Sequence, residues 1–306
     1  MAKYLVLRFS RMILTIWIIA SIVFFATRLT GNPIDYIMPE GLDAESRLLM
    51  IAYLGLDRPI GEQYWRFFRA LYDGEFGLGL IERRPVATIF AERVGASLNL
   101  LLATLAVTVA LGVPLGVMAA VWRRSALGSA ILTVAFLGYA IPNFVLSILL
   151  LLLFSYSLGW LPSAGNATLA HYVMPTIALS AFFLASLVRY TRSSMLDVLG
   201  QDYIRTARAK GLPERLVIFR HGLRNALIPV ITVLGLQVTT LVSGAVVIET
   251  VFAWHGVGDL LVGATLRRDY PVLQFGILVV AAVVVVVNAL IDLLYAAVDP
   301  RVRLAS

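Results

Sequence analysis

The chain has 306 residues, of which 60% are hydrophobic and only 14% charged, with a net charge of +7; an ordinary soluble domain is about 25% charged, so composition alone points to a membrane. The absence of cysteine from the sequence excludes disulfide frameworks, thiol catalysis and Cys-based metal sites. Residues 94–122, 125–170, 172–188, 226–248 and 270–291 contain no Asp, Glu, Lys or Arg, and each run can supply the roughly 20 apolar helical residues that cross hydrocarbon.

In chain order, the first apolar segment is "MILTIWIIASIVFFAT" (12–27), preceded by Lys3, Arg8 and Arg11. It is longer than a signal-peptide core and no A-x-A site follows, so it is read as an uncleaved first span. Residues 30–95 have ordinary soluble composition and form an external region. Within it, "EQYWRFFRAL" puts Tyr64, Phe67, Phe68 and Leu71 on one side of a helix. So short a region buries too little to stand alone comfortably, and it predicts a small lid packing on the external membrane face.

The charge-free runs predict five more helices. The second half of the 125–170 run, "SLGWLPSAGNATLAH", is rich in Gly, Pro, Ser and Asn and reads as a loop. The expected helices are 9–29, 97–121, 127–156, 171–191, 227–249 and 272–298, an all-α integral membrane protein. With the N-terminus inside, residues 1–11, 122–125, 189–225 and 292–306 share one side, which holds 15 Lys and Arg against 5 Asp and Glu. The other side holds 10 against 13. Cytoplasmic loops near span ends carry the positive excess, so the topology is N-in and C-in. The basic balance reports topology and does not call for nucleic acid. The chain divides into 1–29 (cytoplasmic start and first span), 30–95 (external region) and 96–306, a five-helix core with a cytoplasmic loop at 192–226.

Proton-driven carriers place Asp, Glu or His in mid-membrane, where a charge costs about 2.5–3.5 kcal/mol. The span centres here have none, and Asp292 and Arg189 sit near the cytoplasmic ends, where snorkelling or mutual pairing accounts for them. A sodium site built from hydroxyls and carbonyls stays open. A phosphate-binding loop needs G-x-x-x-x-G-K-[ST], and neither lysine, Lys3 or Lys210, has that setting. His171, His221 and His255 are scattered and read as interfacial or loop residues. Active transport therefore needs an engine on another chain. Candidate pore-facing polar groups are Asn143, Gln237 and, at the external mouth, Glu249; each could equally serve as an interhelical hydrogen-bonding residue.

The densest positive charge lies in "RTARAKGLPERLVIFRHGLRNALIP" (205–229). "DYIRTARAK" (202–210) is made of helix formers, with Asp202 placed to cap the N-terminal amides and Arg208 and Lys210 near the C-terminal carbonyls. Gly211 offers a left-handed stop, Leu212 the apolar residue after it, and Pro213 with Glu214 a first turn for the next helix. The reading is helix, tight turn, helix, with Ala207 and Ala209 leaving the elbow slim enough to enter a groove. A passive basic loop would explain the arginines but not the Gly-Leu-Pro-Glu elbow. The elbow is read as a docking element.

These residues resemble the cytoplasmic coupling loop, the EAA loop, of bacterial ABC-importer permeases of the dipeptide, oligopeptide and nickel family. "DYIRTARAKGL" and "HGLRNALIPV" follow that family's version closely. Of the general E-A-A-x-x-x-G pattern, the first three positions fall on Arg205, Thr206 and Ala207, so Arg stands where the acidic residue is usual. "GLDRP" (55–59), "GEFGLG" (74–79), "RRPV" (83–86), "IPNF" (141–144), "GWLP" (159–162), "RDYPVLQ" (268–274) and "DPRVR" (299–303) extend the resemblance along the whole chain. "FAWHGVG" (252–258) carries His255 at the family's usual Pro position.

The resemblance implies a type I ABC importer permease in the bacterial inner membrane, surrounded by lipid and forming half of a translocation pore. It implies a second, related permease, two cytoplasmic ATPases and an external solute-binding protein as partners. ATP and Mg belong to the ATPases, and this chain is expected to bind no cofactor or metal and to catalyse nothing itself. The coupling residues carried over are Tyr203, Arg205, Thr206, Ala207, Arg208, Ala209, Gly211, Leu212, Pro213, Glu214, Arg224, Asn225 and Pro229. Closure of the ATPases would pull the elbows and switch the pore from inward-facing to outward-facing. Short peptides are the expected substrate. Glutathione, nickel chelates and opines are handled by similar permeases, and no peptide-reading site stands out. The rival classes are a stand-alone sodium-coupled carrier and a scaffold subunit.

Overall fold

The computed structural model describes residues 2–29, 45, 48, 51, 52 and 55–298, with side chains from Arg8 to Ile291. The Asp292 side chain and the "DPRVR" motif lie outside the described residues. Helices are what so apolar a chain must form, because in hydrocarbon every backbone N–H and C=O has to be paired within its own segment. The described helices are α1 (Ala2–Leu29), α2 (Ile60–Asp73), α3 (Val86–Val121), α4 (Ala126–Ala140), α5 (Asn143–Ser157), α6 (Leu169–Leu199), α7 (Asp202–Ala209), α8 (Glu214–Val251), α9 (Val257–Leu266) and α10 (Tyr270–Val298). Leu151–Ser157 in α5 and Val217–Leu223 in α8 are wound as π-helix.

Five of these helices, in α1, α3, α6, α8 and α10, are long and apolar enough to cross a membrane, and the pair α4–α5 makes the sixth crossing when counted as one. That pair corrects the single helix expected over 127–156: its two halves meet at 102°. Pro142 is the cause. A residue before proline is pushed out of the helical region, and Ile141 accordingly sits at φ −84°, ψ 121°, ending α4 while Pro142 caps α5. Elsewhere the helices outrun their apolar stretches. The 36 residues of α3 and the 38 of α8 correspond to about 54 and 57 Å of helix, against a hydrocarbon core of about 30 Å.

The chain forms two compact units, Met1–Gly95 with Gly256–Val286 and Ala96–His255 with Val287–Ser306. In the first, the predicted aromatic side of α2 lies on α1. Tyr64 shares a 2.8 Å hydrogen bond with Ser21, and Phe24 packs against Tyr64 and Phe67 with ring centroids 5.4 and 5.5 Å apart. Asp269 is buried and accepts hydrogen bonds from the backbone N–H groups of Leu80 (3.0 Å) and Ile81 (3.2 Å). The "GEFGLG" and "RDYPVLQ" motifs are thus held together. Gly79 packs closely there, since a Cβ would stand 3.0 Å from the Ile89 side chain and 3.2 Å from that of Val272.

In the second unit, α3 and α6 approach closely at Gly112 and Gly116, where a Cβ would come within 2.8 Å of Leu187 and 2.5 Å of Thr191. Small residues four apart let membrane helices touch backbone to backbone. The core gathers Leu100, Met174, Leu179, Phe183, Ile248, Phe252 and Trp254. Trp254 is fully buried, packs edge-on to Tyr172 at 4.5 Å and donates its indole N–H to the Ala96 carbonyl at 3.1 Å. In "FAWHGVG", therefore, Phe252 and Trp254 anchor the turn, while Ala253 (φ 44°) and the exposed His255 form its outer side.

Candidate functional site

The cytoplasmic elbow is built by α6, α7 and the head of α8. Helix α6 ends at Leu199, and α7 begins at Asp202 after Gly200 and an extended Gln201. Gln201, not Asp202, is the residue at the cap position, and no side chain caps α7. Asp202 lies inside the first turn, paired with Arg205 at 3.4 Å. It still places negative charge at the helix N-terminus, where the dipole favours it.

The stop at the other end follows from Gly211, which adopts φ 75°. Its N–H bonds to the Arg208 carbonyl (2.9 Å) and the Leu212 N–H reaches the Ala207 carbonyl (3.4 Å). This pairing is the Schellman arrangement, and the apolar contact that accompanies it is present too. Leu212 packs beside Ile204, Ala207 and Val217, all three buried. Ala207 and Leu212 thus face inward and hold the elbow together, while Ala209 is exposed. Pro213 is the residue preceding α8 (φ −62°, ψ 139°) and Glu214 opens that helix. From Glu214, α8 runs on through the fifth span.

Polar contacts lock the turn. The Arg208 guanidinium grips Glu214 with two hydrogen bonds, Nε to Oε2 at 3.1 Å and Nη2 to Oε1 at 2.7 Å. Hydrogen bonding to Glu214 raises the Arg208 pKa above its ordinary value, so this cation stays charged. Asn225 donates to the Tyr203 hydroxyl (3.0 Å) and to the His221 carbonyl (3.0 Å). Thr206 donates to the Asp202 carbonyl at 3.0 Å. Deeper, Ser194 donates to the Ala226 carbonyl (2.9 Å), tying α6 to α8. Arg224 and Pro229 are exposed on α8.

The outer surface of the elbow exposes Tyr203, Arg205, Thr206, Ala209, Pro213 and Arg215, together with Leu216 and Phe219. Leu216 and Phe219 were not among the expected coupling residues. Their signal is present in "ERLVIFR": three apart on a helix, they share a side, while Val217 between them is buried.

The three candidate pathway residues have separate surroundings. Asn143 opens α5 just after the break, and its amide lies 3.7 Å from where a Cβ on Gly244 would stand. Glu249 is buried and accepts a 2.6 Å hydrogen bond from Ser97, so it tethers α3 to α8. Both amide atoms of Gln237 are buried without a hydrogen-bond partner. Of the remaining polar residues, His171 closes a capping box with Thr168 at the start of α6, and Arg189 sits over the Tyr139 ring at 4.9 Å. No group of three or more His, Cys, Asp or Glu placed to hold a metal occurs among the described residues.

Long apolar helices, a bent pair that counts as one span and an elbow held by its own contacts define the class, a multi-pass integral membrane protein. A family model described as "Binding-protein-dependent transport system inner membrane component" matches residues 112–304, and the chain belongs to that family. It is 41% identical over 304 residues to the glutathione transport system permease protein GsiC of Escherichia coli (strain K12), with 99% of each chain covered. The match to GsiC of Shigella dysenteriae serotype 1 is the same in identity and coverage. Among solved structures, the fold is similar to an inward-facing form of the MetNI methionine ABC transporter, with TM-score 0.59 and 18% identity, covering 70% of this chain and 98% of that one.

The chain is accordingly an ABC-importer permease subunit of the dipeptide, oligopeptide and nickel family, a multi-pass protein of the bacterial inner membrane and not itself an enzyme. Membership of this family implies ATPase and binding-protein partners.

Proposed function

We propose that this chain forms half of the translocation path of an importer for short peptides, glutathione among them, and that Tyr203–Pro229 is the surface through which an ATPase moves it. The observation that carries the coupling reading is the elbow itself. It is fixed internally by the Gly211 stop, the Arg208–Glu214 pair and the Ile204–Ala207–Val217 core; it follows α6 after Gly200 and Gln201, and its second arm is the head of α8 itself. A rigid block on two spans transmits a displacement, and such a two-state element is what coupling requires. The exposed Leu216 and Phe219 supply apolar contact area, and Arg205, Arg215 and Arg220 are exposed in the same loop.

The substrate reading is supported by the full-length relation to GsiC, glutathione being a tripeptide. A second permease, two ATPases carrying ATP and Mg, and an external binding protein complete the proposed assembly. In it Asn143 and Gln237 are the pathway groups, amides suited to peptide backbone, and Glu249 holds the helices around them.

Cysteines at Thr206 and Phe219 should cross-link to a co-expressed ATPase; a Cys at the inward-packed Leu212 should not. Absence of any cross-link from Thr206 and Phe219 in every nucleotide state would sink the coupling assignment. For the substrate, cells expressing the whole system should accumulate labelled glutathione or dipeptide. Uptake confined to a nickel chelate or an opine, or sodium-driven uptake by this chain alone, would replace the peptide reading.

A further inference from the structure

The external end of α1, helix α2 and the start of α10 enclose a cleft of about 300 Å³. Its lining includes two guanidinium groups, Arg28 and Arg66, one carboxylate, Glu75, and the apolar Phe67, Phe275 and Leu278. We propose that this cleft binds the headgroup of a zwitterionic phospholipid from the outer leaflet, its phosphate on Arg28 and Arg66 and its ammonium toward Glu75.

Arg28 is set for an anion. Its Nε donates to the Gln63 side-chain oxygen at 2.8 Å, and Gln63 is itself fixed by donating to the Arg58 carbonyl at 2.8 Å. The guanidinium lies over the Phe24 ring at 4.9 Å. No carboxylate among the described residues pairs with Arg28, whereas Arg58 and Arg66 share Glu62. Guanidinium forks match phosphate oxygens in geometry and charge. One carboxylate beside two guanidinium groups suits a headgroup carrying both a phosphate and an ammonium better than a purely anionic one.

Depth favours a lipid over a soluble zwitterion. Tyr64 of α2 meets α1 at Ser21, eight residues before the end of that span, or about 12 Å along a helix axis. Helix α2 therefore lies at the level of the headgroups and the upper acyl chains. On its outward side Trp65 is 71% and Tyr72 92% exposed, with Arg69 between them, the pattern of an interfacial helix. The apolar part of the lining gives an acyl chain somewhere to go.

The test is native mass spectrometry of the complete transporter released from nanodiscs of mixed phosphatidylethanolamine and phosphatidylglycerol. The wild type should retain phosphatidylethanolamine selectively. Arg28→Gln and Arg66→Gln should each lower that retention about tenfold, the effect of losing one charge-assisted contact, and Glu75→Gln should remove the preference between the two lipids. Arg66 is exposed, so its variant reports even where Arg28→Gln fails to assemble. Unchanged retention in Arg66→Gln, an unchanged preference in Glu75→Gln, or displacement of the lipid by a soluble dipeptide would each overturn the proposal.

Discussion

At Gly211 the backbone sits at φ 75°, and a Cβ built there meets nothing within 4 Å. Any cost of substitution is therefore conformational, about 1–2 kcal/mol for a side chain forced into the left-handed region. Gly211→Val should uncouple ATP hydrolysis from uptake, while Gly211→Asn, which tolerates this region, should retain most transport. Equal behaviour of the two variants in a paired ATPase and uptake assay would show that the turn does not matter. Gln237 poses the opposite case, an amide buried with both polar atoms unpaired. Removing an unsatisfied buried group relieves a penalty of about 1–3 kcal/mol, so Gln237→Leu should raise the melting temperature of the purified complex. If Gln237 serves the pathway, uptake should fall in the same variant; a lowered melting temperature would mean that the amide is satisfied.

Among the elements, the contact of α3 with α6 depends on having no side chain at Gly112 and Gly116. Because a Cβ at Gly116 would stand 2.5 Å from that of Thr191, Gly116→Ala should force the helices apart at about 1–3 kcal/mol. The expected readout is a lowered melting temperature in detergent, and an unchanged one would mean that the helices separate freely. The bend between α4 and α5 belongs to the same scale. "IPNF" carried the signal, since Pro142 dictates an extended residue before it, yet an uninterrupted apolar run read as one helix. The elbow was more legible: Gly211, Leu212 and Pro213 are punctuation with local causes. What the residues alone did not reveal was direction. Ala207 faces inward and Phe219 outward because of what α6 and α8 place around them.

For the molecule as a whole, the described residues make six crossings when α4 and α5 are counted as one, and the sequence carries no phosphate-binding loop. Proteoliposomes holding this chain and the proposed second permease should show no ATP-dependent accumulation until ATPases are added; accumulation without them would sink the permease reading. Helix content, the number of spans, orientation and the elbow's turn were determined by the sequence, since hydrocarbon length, the distribution of Lys and Arg, and the φ preferences of Gly and Pro are local or compositional constraints. The tertiary structure alone decided the burial of Glu249 against Ser97, the union of "GEFGLG" with "RDYPVLQ" through Asp269, and the inward side of the elbow. Each of these depends on which surfaces meet across long separations in the chain, and one-dimensional periodicity carries no record of that pairing.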